Sequence, residues 1–145
     1  MFGSSKDKRA AATNPGEAAN AALRAEVERL EALPIARLAA EVMVKGFGPG
    51  GPGFAQREPY AATAVSVGRI AHLFQPQGVR HPDLSRRLSQ VVGEGLQVLE
   101  HQSLIWVPSV SENFGMMYTA TRRGRAALEA NAVEQALRGE SGEPA

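Results

Sequence analysis

Apolar residues recur near the helical period at Ala18, Ala22, Leu23, Val27 and Leu30, while Arg24, Glu28, Arg29 and Glu31 occupy the other faces. That pattern predicts a first helix, with Asn14 as its cap, Pro15 in its first turn and Glu17 facing the positive helix end. Its apolar stripe is narrow and can pack on a neighbour or on a second subunit. Pro34 interrupts the pattern, and Ile35, Leu38, Ala39, Val42 and Met43 mark one side of a second helix that Gly46 is placed to end. A third helix is expected over 58–74, from Tyr60, Ala64, Val67, Ala71 and Phe74. The β-branched residues Thr63, Val65 and Val67, with Gly68 after them, leave a short strand open in the same place. The clearest periodicity spans 83–101, where Asp83 can cap a helix carrying Leu84, Leu88, Val91, Val92, Leu96 and Leu99 toward one face.

Beyond that helix the period changes. Residues 104–107 predict a short strand, 108–115 hold the turn formers Ser109, Ser111, Asn113 and Gly115, and 116–120 predict the returning strand of a hairpin. Thr121 can cap a last helix over 122–137 with Ala126, Ala130, Val133 and Leu137 on its apolar stripe. No repeat of twenty to fifty residues occurs, which excludes solenoids and propellers. The chain therefore divides into polar tails at 1–13 and 138–145, expected to be disordered, N-terminal helices over 14–45, a Gly/Pro-rich loop over 46–57 and a domain over 58–137.

Within the domain, a long helix closes with Leu96, Val98, Leu99 and Glu100, and a polar break leads to Leu104 and Ile105. A strand returns through Tyr118, and Thr121, Gly124 and Leu128 enter the next helix. This stretch, 95–128, resembles the end of a winged helix-turn-helix domain of the MarR and PadR types of bacterial regulator. The resemblance implies a mainly α fold with a small β-hairpin wing, preceded by one or two N-terminal helices. It also implies a dimeric transcriptional regulator that binds duplex DNA. Helix 83–101 then becomes the recognition helix, displaying Arg86, Gln90, Glu94 and Gln97 with Arg87 beside them; Arg and Gln read guanine and adenine edges in the major groove. Arg80, Arg122, Arg123 and Arg125 would add phosphate contacts. A homodimer would form through Leu23, Val27, Leu30, Ile35 and Leu38. One departure from the motif is the segment between Phe74 and Leu88, which is longer than its usual tight turn.

Charge and composition narrow these readings. The formal net charge of +1 gives no strong global attraction to nucleic acid, so binding must come from a local patch. The expected wing tip carries Glu112 and no Lys or Arg, and Glu94 sits near the centre of the reading face. Both features favour an alternative, a winged-helix adaptor that docks protein partners without binding DNA. Trp106, Met116, Met117 and Tyr118 are expected as the apolar face with which the hairpin closes over the helices.

No enzyme is expected, because no nucleophile is paired with a base. No metal or cofactor is expected either. His72, His81 and His101 are widely spaced without cysteine partners, and Gly46, Gly48 and Gly51 follow a helix rather than a strand. The absence of cysteine removes disulfides, and the apolar segments are interrupted by Arg37, Glu41, Arg69 or Glu94, so no membrane span and a cytoplasmic setting are expected.

Overall fold

The computed structural model describes residues 15–54, 64–79 and 81–139. In chain order these form α1 (Pro15–Ala32), α2 (Ile35–Phe47), β1 (Val65–Ser66), α3 (Val67–His72), α4 (Pro82–His101), β2 (Ile105–Ser111), β3 (Gly115–Ala120), α5 (Arg122–Glu129) and α6 (Val133–Leu137). The expected cap Asn14, residues 58–63 of the expected third helix, Arg80, the tail 1–13 and residues 140–145 lie outside the described residues.

The apolar face of α4 organises the core. Leu84, Leu88, Val91, Val92, Leu96 and Leu99 are all buried, and α4 packs against α1, α2, α3 and β2. Each such side chain stabilises the fold by about 1.5–3 kcal/mol through its removal from water. At Gly95, α4 and α2 approach so closely that a Cβ would lie 2.9 Å from Val42 Cγ2 and 3.5 Å from Ala39 Cα. α1 covers another flank of α4 with Leu23, Val27 and Leu30, each completely buried. Leu38 is buried too, and only Ile35 of the five residues expected at a dimer contact remains exposed. The assignment of Leu23, Val27, Leu30 and Leu38 to a subunit interface is corrected accordingly: the narrow stripe finds its apolar partner inside its own chain.

Ion pairs lock this packing at the surface. Arg29 donates to both carboxylate oxygens of Glu26 at 2.8 and 2.9 Å and to both of Glu41 at 3.0 and 2.9 Å, which ties α1 to α2. The hydrogen bond from Arg29 holds the Glu26 carboxyl below its ordinary range against the opposing effect of partial burial.

The start of α4 differs from expectation. His81, not Asp83, is its cap: Nδ1 accepts from the Leu84 N–H at 3.2 Å, with Pro82 first in the helix and Asp83 in the first turn. At the other end Ser103 adopts φ 60°, and Leu104 N–H donates to the Leu99 carbonyl at 2.9 Å, a left-handed cap that turns the chain into the sheet.

The sheet has the order β1-β3-β2 and is antiparallel throughout. Val65 opposes Tyr118 and Ser66 opposes Met117, so this part of the expected third helix is a strand. Ser66 then stops the strand by capping α3, its Oγ accepting from the Arg69 N–H at 3.2 Å. β2 is longer than expected, because Pro108 does not end it. Its register shifts between Trp106 and Ser109, and on an edge strand the missing N–H of Pro108 breaks no obligatory ladder bond.

The expected single helix over 122–137 is two helices. Asn131 adopts φ 53°, and Ala132 N–H donates to the Ala127 carbonyl at 2.9 Å, a second left-handed cap. The break folds α6 back onto α2, where Val133 and Ala136 are buried and Arg37 lies 3.6 Å from Glu134. The residues 46–53 are folded rather than extended, with Gly51 N–H donating to Gly48 at 2.9 Å and Gly53 N–H to Gly46 at 2.8 Å. Arg138, expected in the tail, is paired with Glu134 at 2.5 Å.

Gly124 fixes the junction between sheet and α5. A Cβ there would overlap the Leu104 carbonyl oxygen and lie 2.8 Å from Met43 Cε. Gly124→Ala is therefore expected to lower stability by about 1–3 kcal/mol through overpacking, exceeding the helix-propensity gain of up to about 1 kcal/mol. Gly93→Ala, whose Cβ meets nothing within 4 Å, serves as the control and should be neutral or stabilising. Thermal melts of the two variants check this, and a Gly124→Ala midpoint at or above wild type contradicts it.

A second expectation concerns acid. The folded-state value of Glu26 lies below the ordinary 4.5, so its pairing stabilises the fold above that pH and is lost as pH falls through the depressed value. On acidification below about pH 4.5 the wild type should lose more stability than Glu26→Gln. Chemical denaturation of both proteins across pH 3–6 measures the difference.

Candidate nucleic-acid interface

α4 separates its side chains cleanly, because its buried positions leave one stripe open to solvent. Arg86, Gln90, Glu94 and Gln97 are exposed at helical spacing along that stripe. Arg86 is the freest of its cations, with its side chain 71% exposed and Asp83 3.6 Å away. Gln75 steadies the preceding segment by donating to Ser85 Oγ at 3.2 Å. Between α3 and α4 the chain makes a long connection, as anticipated, described over 73–79 and at His81.

Arg87 lies beside this stripe but is engaged elsewhere. Its Nη2 donates to Glu31 Oε1 at 2.6 Å and its Nε to Oε2 at 3.3 Å, a forked pair between α4 and α1. The hydrogen bond to Glu31 raises the Arg87 value, with the charge of Glu31 acting in the same direction. Sequence spacing places Arg86 and Arg87 together, yet the fold turns one toward solvent and the other toward a carboxylate.

Arg122, Arg123 and Arg125 belong to a different end of the molecule. Thr121 caps α5 by accepting from the Gly124 N–H at 2.9 Å, and its hydroxyl donates to the Ser103 carbonyl at 2.7 Å. The start of α5 is thereby fastened to the end of α4. Arg86 lies seventeen positions before Ser103, and at ~1.5 Å per residue the two basic groups are separated by roughly 25 Å along α4. Arg122 and Arg123 are exposed there, whereas Arg125 donates to the Ala120 carbonyl at 3.3 Å and helps hold the junction.

The hairpin provides the largest departure from expectation. Its tip is narrower than anticipated, with Ser111 Oγ accepting from the N–H groups of Asn113 and Phe114 at 3.2 Å each. Tyr118 is buried and Met117 half-buried, but Trp106 is 52% exposed and Met116 53%, and Val110 and Phe114 are more exposed still. Trp106 opposes Thr119 and so projects from the sheet face opposite Ile105 and Ala120, while the Val110–Met116 pair sits next to the hairpin tip with both side chains exposed. The expectation that Trp106 and Met116 close the core is corrected on these grounds. No Lys or Arg occurs between Ser103 and Arg122, so the wing is apolar and carries the single acid Glu112. An alternating strand pattern does not reveal how far a hairpin tip stands clear of the core, so the exposure of Val110 and Phe114 is not legible in it.

Among the described residues, no group of three or more His, Asp or Glu side chains is placed to hold a metal ion, and no helix is long and apolar enough to cross a membrane. The half-exposed indole has a direct readout. Trp106, the sole tryptophan, should show red-shifted emission and be readily quenched by iodide in the native protein. Blue-shifted emission insensitive to iodide would place the ring in the core instead.

No protein-family model, curated protein or solved structure matches the chain. The arrangement itself, helices followed by a small three-stranded antiparallel sheet of order β1-β3-β2, is consistent with a winged-helix type of fold.

Proposed function

We propose that this chain is a DNA-binding winged-helix regulator that reads duplex DNA with α4. The observation that carries the reading is the stripe of Arg86, Gln90, Glu94 and Gln97, held open on a rigid helix whose opposite face is the core of the protein. Arg and Gln on such a stripe match the donor and acceptor pattern of the major groove. A single α4 with few accompanying cations makes a small footprint, so two copies on a two-fold-related site suit the reading best. Their contact would lie away from the buried α1 stripe. Arg122 and Arg123 would reach phosphates only at the far end of α4, and Arg87 would serve α1 docking more than DNA.

A second reading, docking of a protein partner through the wing, is favoured by one observation. Trp106, Val110, Phe114 and Met116 present apolar surface where a phosphate-tracking wing carries cations.

Duplex binding across a salt series distinguishes the two. The DNA reading expects affinity that falls steeply with salt. Against a duplex selected from a random pool, Arg86→Ala should cost about 1–3 kcal/mol and relax the preference at one base pair. Arg87→Ala should leave duplex affinity nearly unchanged and lower stability only slightly, since its pair with Glu31 is exposed, and Glu112→Lys should strengthen nonspecific binding if the wing lies near the backbone. Undetectable binding even at low salt would leave the wing-docking reading in its place.

A further inference from the structure

We propose that the groove between α3 and the tip of the wing binds a small monocarboxylate with an apolar tail. The groove has a volume of about 510 Å³, within the ~300–1,000 Å³ of small-molecule sites. Val65 and Met117 line it from the sheet, Phe114 from the hairpin turn, and Arg69 and His72 from α3. It lies off the α4 stripe, and its occupancy does not depend on whether α4 binds DNA.

The two halves of the lining specify the two halves of the ligand. Phe114 is 69% exposed and Met117 half-buried, so an aliphatic or aromatic tail laid between them removes apolar surface from water on both partners. The Met117 thioether adapts to the shape of that tail. Arg69 and His72 are three residues apart on α3 and therefore share one face of it. Both are exposed, and Arg69 forms no ion pair with a carboxylate of the described residues. Among the described residues, no acidic side chain lines the groove. Ser66, also in the lining, uses its oxygen to accept from the Arg69 N–H and keeps its hydroxyl proton for an acceptor. Planar guanidinium, imidazole and hydroxyl donors beside an apolar floor match a carboxylate, which accepts a forked pair from Arg. A cationic ligand would meet Arg69 unfavourably. A neutral apolar molecule would cover these donors without satisfying them, and so binds more weakly.

Octanoate is a suitable probe and octanol its neutral counterpart, both kept below micellar concentration. The protein has four methionines, Met1, Met43, Met116 and Met117, and methyl-labelled methionine gives one NMR signal for each. Met117 lines the groove, Met116 projects from the other face of β3, and Met43 is completely buried. Octanoate should shift the Met117 methyl saturably while leaving Met43 in place, and octanol should bind at least tenfold more weakly. Arg69→Gln should weaken octanoate roughly tenfold and leave octanol unchanged, with the unmoved Met43 signal showing that the variant is folded. Phe114→Ala should weaken both probes. The proposal is overturned if Met117 does not respond at millimolar octanoate, if octanol binds as tightly as octanoate, or if Arg69→Gln changes nothing.

Discussion

Where α4 crosses α2, Gly95 lies against Val42 and Ala39 with no room for another side chain, and the rest of the molecule is positioned from that contact. The close approach lets one helix bury six large aliphatic residues while α1, α2, α3 and β2 gather around it. Because dispersion falls steeply with distance, a wider crossing would weaken contacts along both helices together. α1 completes the layer through Leu23, Val27 and Leu30, and the Arg29 and Arg87 ion pairs set its angle more than they add to stability, since exposed pairs contribute little. The sheet is fastened to the same frame by the Gly124 approach to Leu104 and by the Thr121 hydrogen bonds.

That frame also distributes the charge. With a net charge of +1 there is no global field, and the arginines are placed in separate settings. Arg86 faces solvent, Arg87 faces Glu31, and Arg122 and Arg123 occupy the far end of α4. Clustering in sequence therefore overstates the size of any basic surface. The wing adds apolar area in place of charge, so a nucleic-acid reading rests on the α4 stripe alone.

Much of the helical architecture was legible because it follows from short-range periodicity. The 83–101 pattern matches α4 within a residue at its start and end, and the hairpin and the Thr121 cap follow where turn formers and a capping hydroxyl occur. The β-branched run at 63–67 carried two competing signals, and the pairing of Val65 with Tyr118, more than fifty positions away, decided between them. Asn131 is a residue that tolerates the left-handed region, but the pull that breaks the last helix there is burial of Val133 and Ala136 against α2. Asp83 is of a commoner capping type, yet His81 caps α4, because Pro82 is better placed in the first turn than before it.

The candidate site was legible to a lesser depth. Alternation between buried and open positions on α4 follows from a period of 3.6 residues, so the identity of Arg86, Gln90, Glu94 and Gln97 as one stripe was determined by the sequence itself. Which surface the α1 stripe covers, whether Arg87 finds a carboxylate, and how far the wing tip stands clear of the core were decided only in three dimensions. Each of these depends on contacts between residues distant in the chain, and local periodicity states that a face is apolar without stating what will cover it. The groove that joins Arg69 and His72 to Phe114 and Met117 has the same origin. Its two sides lie some forty positions apart and meet only because β1 pairs with β3.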